Sequence, residues 1–349
     1  RAEYQRTFKQ YTDCAAYLKT TLTRTLQDKR INVHLVEARA KDVNSFIKKA
    51  FKPEKNYPNP ITDITDLVGV RIIAYYESDL EAIGEHLREC FGPPQEQDNK
   101  RPEHDGVFGY RSEHYILPFT EQMVRAAEVG AMQHFNFEVQ VRTVLQHAWA
   151  SISHKVDYKN EGVAHDTLRR KLNRLSALFE IADDEFVSLR HLHEQLAKQI
   201  GEQMKDPVET VSLNDISVTQ LLNSSAHIAG LVGASQRAGF IFNDPYRTER
   251  DDHRALAGLL NLSTRAGLKT IEELADILEK NQDDRVDYLG MQYRRNQAKG
   301  RMYWYATTAF ICQLLVIKER RNVLEPGDLV ELGWDSAMAD QVIAVARDC

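Results

Sequence analysis

Apolar and polar positions alternate at different periods along this chain, and each period predicts an element. Residues 3–51 hold few Gly or Pro and read as helical. FKPEKNYPNP, Phe51 to Pro60, breaks that pattern with three prolines and reads as a loop. Val70-Arg71-Ile72-Ile73-Ala74-Tyr75-Tyr76 is short, β-branched and aromatic, which predicts a strand. Residues 79–90 predict a helix closed by Gly92-Pro93-Pro94. The polar stretch from Gln95 to Gly109 reads as a loop, and YRSEHYILPF after it as a strand. Residues 121–131 suggest a short helix. Phe135 to Arg142 alternates as a strand, and Thr143 opens a helix. The order helix, strand, helix, strand, strand, helix defines an α/β (α+β) domain with a small mixed sheet flanked by helices.

From residue 168 the apolar gaps alternate between four and three: Leu168, Leu172, Leu175, Phe179, Ala182, Phe186, Leu189. After His193, Leu196 and Ile200 continue the row. This is a heptad-like seam on one long helix. Such a seam either packs on its own domain or makes a helix–helix or subunit contact, so a homo-oligomer through helices is one candidate partnership. Gly201 to Asn214, with Asp206-Pro207 inside, reads as a linker or helix boundary. Beyond it ISVTQLLNSSAHIAGLVG, HRALAGLLNLSTRAGL, TIEELADILEK, GRMYWYATTAFICQLLVIKERR and SAMADQVIAVARD read as helices. The chain thus divides into 1–204, the α/β domain with its terminal long helix, and 205–349, an all-α C-terminal domain. No repeat or catalytic motif marks the second part, which leaves it open to a regulatory ligand, a protein partner or oligomerisation. Tyr303-Trp304-Tyr305 reads as core rather than a ligand box.

Length and charge narrow the classes. The 349 residues suit roughly two domains, and a net charge of −6 does not mark a general nucleic-acid binder. Cys14, Cys90, Cys312 and Cys349 form no CxxC pair or metal spacing, as expected of reduced thiols in a cytoplasmic protein. No apolar run has the length of a membrane helix. No targeting signal is visible in the sequence, which starts at Arg1 rather than Met.

Four pieces carry the chemistry. Asp66-Leu67-Val68-Gly69-Val70-Arg71 enters a strand with a hard-metal ligand, a glycine that permits close approach and a planar cation. Alone, it reads equally as an N-cap Asp and a surface ion pair. Glu138, Gln140 and Arg142 alternate on one strand face, with Val139 and Val141 on the other. With Asp66 on a neighbouring strand, Glu138 completes a carboxylate pair able to hold Mg²⁺, one of which can also accept a hydroxyl proton. Val36 to Ala50, read as a helix, supplies Arg39, Lys41, Ser45, Lys48 and Lys49. Arg39 and Lys41 would point about 200° apart there, and the stretch is either a phosphate clamp or a solvated basic face. Gly109-Tyr110-Arg111-Ser112-Glu113-His114 offers a tyrosine at a strand start as a stacking platform for a base.

Taken in order, RAK…S…K (Arg39 to Lys49), DLVGVR (Asp66 to Arg71), GYRSEH (Gly109 to His114) and EVQVRT…HAWA…H…YK (Glu138 to Lys159) resemble the RelA/SpoT-type nucleotidyltransferase, or (p)ppGpp synthetase, domain. The likeness is strongest to small alarmone synthetases that lack a hydrolase domain, and it covers roughly residues 30–160. It implies transfer of pyrophosphate from ATP to the ribose 3′-hydroxyl of GDP or GTP. Asp66 would bind Mg²⁺, and Glu138 would be general base and share the metal. Arg39, Lys41, Ser45 and Lys49 would hold the ATP phosphates, with Arg71 stacked on adenine. Tyr110 would stack on the acceptor base, and Arg111, His114, Gln140, His147 and His154 would line the acceptor side. One departure matters: Asp105-Gly106-Val107-Phe108 stands where the family often has Pro-Lys-x-Asn before Gly-Tyr, and His147 stands where many small synthetases carry Asn. Some relatives with such loops are toxins that make adenosine alarmones or pyrophosphorylate the tRNA 3′ end, so both acceptors stay open. An inactive nucleotide-binding sensor is the reading of another class. Intact Asp66, Glu138, Arg39 and Tyr110 count against it.

Overall fold

The computed structural model describes residues 1–52, 56–100, 112–127, 135–157, 166–205, 210–223, 225–242, 244, 247–280, 284–298 and 304–349. The chain forms two compact units, Arg1–His191 and Leu192–Cys349.

The first unit starts with helix α1 (Ala2–Asp28), which buries Tyr4, Tyr11, Cys14, Ala15, Leu18, Leu22 and Leu26. Their spacing draws one apolar stripe along the helix. The expected continuation of helix to residue 51 is interrupted, because Val33–Ala40 is a strand, β1. Val36, Ala38 and Ala40 turn toward the core and alternate with exposed Glu37 and Arg39, but only Val36 of the eight residues is buried, so the period-two signal of a half-buried strand is weak. Its Glu, Ala, Arg and Leu favour helix in isolation, but pairing with the next strand overrides that preference. Helix α2 (Val43–Ala50) then begins at Asp42, whose carboxylate accepts the Ser45 N–H at 3.0 Å.

Within the proline-rich stretch, α3 (Pro60–Asp63) is a single turn. Strand β2 (Val68–Ala74) leads to α4 (Leu80–Phe91), which ends at Gly92 with φ of +82°. Glu96–Lys100 is a strand, β3, inside the segment expected to be loop. Its sequence EQDNK has no apolar residue to reveal it, and it lies at the sheet edge. Then come β4 (Ser112–Phe119), α5 (Glu121–Ala126), β5 (Phe135–Thr143), α6 (Val144–Asp157) and α7 (Asp166–Gln203).

The sheet order is β1-β2-β5-β4-β3, with β2 and β5 parallel and the other pairs antiparallel. One face carries Val68, Val70, Ile72, Phe137, Val139, Val141, Tyr115 and Leu117, packed with the buried residues of α1 and α4. Burying each such side chain contributes about 1.5–3 kcal/mol. Packing there is close: a Cβ at Gly84 of α4 would lie 2.3 Å from the Tyr115 hydroxyl. The opposite face is polar, and the site stands on it.

The apolar row of α7 is divided: Leu172, Phe179 and Ala182 are half-buried, and Leu175, Phe186 and Leu189 are exposed, with Leu178 and Ile181 beside them. Ser176 and Asp183 are buried. Asp183 accepts the Thr143 hydroxyl at 2.8 Å, and Arg190 pairs with Asp79 at 2.5 Å. The two buried residues of this stretch are therefore polar, with Leu172 and Phe179 half-buried beside them.

The second unit is all-α, with α8 (Asp215–Asn223), α9 (Ser225–Arg237), α10 (Glu249–Arg265), α11 (Ile271–Glu279), α12 (Arg285–Gln297), α13 (Thr308–Glu319), α14 (Pro326–Glu331) and α15 (Ser336–Arg347). Helix α13 is buried nearly all round and forms the core. It begins at Thr308, so the expected long helix from Gly300 is shorter. Trp304 packs on Phe240 with ring centroids 5.1 Å apart, whereas Tyr305 is 43% exposed and Tyr303 lies outside the described residues.

Candidate active site

On the polar face, strand register fixes which side chains meet. Arg39 of β1 stands opposite Gly69 of β2, which stands opposite Glu138 of β5. The next row is Glu37, Arg71, Gln140 and His114. A cavity of about 660 Å³ opens over these rows. Arg39, Lys41, Ser45, Asp66, Arg71, Glu138 and Gln140 all line it. Arg39 and Lys41, which a helix would have turned apart, both reach it because the chain is extended here: Arg39 is on β1 and Lys41 follows directly on its last residue. Gly69 leaves the middle of the first row open, since a Cβ there would meet nothing within 4 Å.

Asp66 sits just before β2 and is partly buried. Its Oδ2 accepts Lys41 Nζ at 2.8 Å and Lys49 Nζ at 2.9 Å, while its Oδ1 is buried without a hydrogen-bond partner among the described residues. Burial pushes this carboxyl up, but the two ammonium groups outweigh burial and hold it below the usual carboxylate range. Glu138 is pushed up by burial and by nearby Asp66. The hydrogen bond and charge of His114 and the Gln140 amide outweigh both, so it too is held below its ordinary value. His114 Nδ1 lies 2.7 Å from Glu138 Oε1, and Gln140 Nε2 donates to Oε2 at 3.0 Å. His114 thus contacts Glu138 rather than only lining an acceptor wall.

His147 is on α6 and half-buried. Burial lowers its pKa first, and the charges of Arg142 and Arg71 lower it further, which favours neutral imidazole. His154 belongs to α6, but its side chain lies outside the described residues, as do Tyr110 and Arg111 altogether. Three lining residues were missed from sequence: Lys19 of α1, Glu37 and Asp42. Glu37 shares the strand alternation of Arg39, which is a usable signal once β1 is read as a strand. Nothing local marks Lys19, one exposed lysine of a long helix.

Among the described residues no group of three or more His, Cys, Asp or Glu is placed to hold a metal ion. The donors present are two carboxylates over one cavity, with Asp66 Oδ1 unpartnered. That set fits Mg²⁺, which is commonly held by one or two carboxylates together with substrate phosphates. Cations on one wall, acidic groups on the floor and a glycine gap between them make a site for a polyphosphate and its counter-ion. Such sites act by positioning and charge neutralisation.

An α+β domain with this site belongs to the phosphoryl-handling class. Residues 38–163 match the family described as the region found in RelA/SpoT proteins. The chain is 28% identical over 196 residues to GTP pyrophosphokinase YjbM of Bacillus subtilis (strain 168), a span of 54% of this chain and 89% of that protein. Among solved structures it is similar to small alarmone synthetase 1 from Bacillus subtilis, with a TM-score of 0.47, 25% identity and coverage of 56% of this chain and 100% of that one. The same synthetase bound to its product pppGpp gives a TM-score of 0.45, 26% identity and coverage of 55% and 98%. The residues that match the RelA/SpoT region lie within the N-terminal unit, and the C-terminal unit lies outside residues 38–163.

Proposed function

We propose that the N-terminal unit transfers pyrophosphate from ATP to the ribose 3′-hydroxyl of GDP or GTP in a Mg²⁺-dependent reaction, making (p)ppGpp. The observation that carries this reading is the meeting of Arg39, Lys41 and Ser45 with Asp66 and Glu138 in one cavity. Arg39, Lys41, Ser45 and Lys49 bind the ATP phosphates. Lys41 and Lys49, now shared with Asp66, supply cations within reach of the triphosphate. Asp66, through its unpartnered Oδ1, and Glu138 would hold Mg²⁺, which would neutralise phosphate charge. Arg71 packs on the adenine, and Gln140 and neutral His147 face the acceptor side with Tyr110.

In the step itself Glu138 takes the proton of the 3′-hydroxyl. The hydroxyl oxygen bonds to the β-phosphorus of ATP, the bond from that phosphorus to the α–β bridging oxygen breaks, and AMP leaves with the electron pair. Little covalent chemistry falls to the protein; it orients two nucleotides for in-line attack.

The test is an acceptor screen: full-length protein, labelled ATP and Mg²⁺ with GDP, GTP, ADP, ATP, AMP or bulk tRNA, separated by thin-layer chromatography. Guanosine products that vanish on Mg²⁺ removal are expected. Absence of product with every acceptor counts for the inactive sensor instead. A second reading has its own observation, since the sequence Asp105–Phe108 lacks the usual Lys and Asn. Product on adenine nucleotides or on tRNA alone would establish that acceptor. A tRNA acceptor also requires binding that weakens steeply with salt.

The exposed part of the α7 seam supports self-association through helices. No described helix is long and apolar enough to cross a membrane.

A further inference from the structure

A ring of side chains closes around Glu138. His114 and Ser112 stand on β4, and Glu138, Gln140 and Arg142 on β5. His114 Nδ1 meets Glu138 Oε1 at 2.7 Å, and Gln140 Nε2 donates to Oε2 at 3.0 Å. A terminal nitrogen of Arg142 donates to Gln140 Oε1, and Arg142 Nε donates to Ser112 Oγ at 3.1 Å. Ser112 and His114 are two positions apart on one strand, so the backbone of β4 completes the ring. Register places His114 opposite Gln140 and therefore diagonal to Glu138, a distance that long side chains span.

An ionised carboxylate only accepts, so His114 Nδ1 must carry the proton in this contact. Each carboxylate oxygen has two lone pairs and each neighbour uses one. The ring thus fixes the plane of the carboxylate yet leaves both oxygens able to take a further partner. His114 is 6% exposed, and its Nε2 has no hydrogen-bond partner among the described residues. Among the described residues the polar contact of its side chain is Glu138.

Resting on the pyrophosphate-transfer reading above, we propose that His114 is the positioning residue of Glu138, holding its carboxylate in the orientation that takes the acceptor's hydroxyl proton. His114 does not touch the reacting atoms. It acts by removing the rotational freedom of the base, and so contributes to kcat rather than to nucleotide binding.

Three substitutions of the full-length protein test this. Leucine removes the donor and keeps an apolar volume. Asparagine puts an amide nitrogen near the place of Nδ1, and glutamine puts it near the place of Nε2. His114→Leu is expected to lower kcat about 10- to 100-fold with both nucleotide KM values and the Tm unchanged. His114→Asn should recover most of that loss, and His114→Gln should not. Should the leucine variant fail to fold, the asparagine–glutamine comparison carries the test alone. Equal rates for those two, or a wild-type kcat in His114→Leu, overturn the assignment. Losing kcat in all three together with Tm also overturns it, since that marks a packing role. Failure of the reaction reading is distinct: wild-type protein then pyrophosphorylates no acceptor. Failure of the positioning reading alone leaves wild type active, Glu138→Gln dead and His114→Leu untouched.

Discussion

Gly69 separates stability from function more cleanly than any other position in the cavity. It lies in mid-strand between Arg39 and Glu138, its φ is not positive, and an added Cβ meets nothing within 4 Å. The backbone there asks for no glycine, so its presence follows from the space above it. Gly69→Ala should leave the fold intact and raise stability by about 0.5–1 kcal/mol, because glycine loses more chain entropy in a strand. For a unit of this size that shift raises the Tm by about 1–4 °C. Gly69→Val should fold as well, since β-branched residues suit strands. Both put carbon where the nucleotides must approach the two carboxylates. Displacing a reacting group by about 1 Å costs on the order of 100-fold in rate. That is about 2.7 kcal/mol of transition-state stabilisation. The assay pairs a thermal melt with steady-state transfer from labelled ATP, and the loss should grow from alanine to valine. A valine variant with wild-type kcat/KM would show that the floor at Gly69 is not where substrate lies. A valine variant that unfolds would refute the claim of open space.

Three other outcomes are expected. Glu138→Gln should lower transfer about 10²- to 10⁴-fold while a non-hydrolysable ATP analogue still binds by calorimetry; undiminished turnover would remove Glu138 as base. Leu178, 60% exposed on α7, should be dispensable for folding, but Leu178→Glu should reduce the mass seen by light scattering; a monomeric wild type at micromolar concentration would end the self-association reading. His86 is buried with Nε2 2.9 Å from Thr25 Oγ1, and burial holds its pKa below the usual histidine value, with Glu89 opposing and Lys29 reinforcing the shift. Below about pH 6.5 the unfolded chain protonates His86 first, so its contribution is present above that pH and lost as pH falls toward the folded pKa. The Tm of wild type should drop more between pH 7.5 and 5.5 than that of His86→Gln, and parallel curves would contradict this.

How much of this could be seen in the sequence depended on whether each strand has an inside and an outside. Strand β5 does: Phe137, Val139 and Val141 are fully buried, and Glu138 and Gln140 are not, so the alternation exposed both the strand and its polar face. Strand β3 has no apolar residue and left no periodic signal, and β1 alternates only through Val36, Ala38 and Ala40, one buried residue and two small ones, so its signal was weak. The cost of missing β1 was local. Arg39, Lys41, Ser45 and Lys49 were found by residue type and spacing, but the geometry that unites them was drawn on the wrong element. Contacts made across the sheet were beyond sequence altogether. Lys41 and Lys49 share one oxygen of Asp66, and His114 reaches Glu138, through pairings that only strand order creates. The seam of α7 makes the same point from the opposite side. Its heptad spacing was legible, yet periodicity reports that a face is apolar and not what covers it. Here Ser176, Asp183 and Arg190, spaced by seven, turn inward together with half-buried Leu172 and Phe179, and Leu175, Leu178, Phe186 and Leu189 stay exposed. A helix that leaves these side chains outside its own domain can bury them only against something else. That exposure makes Leu178→Glu a test of assembly rather than of folding.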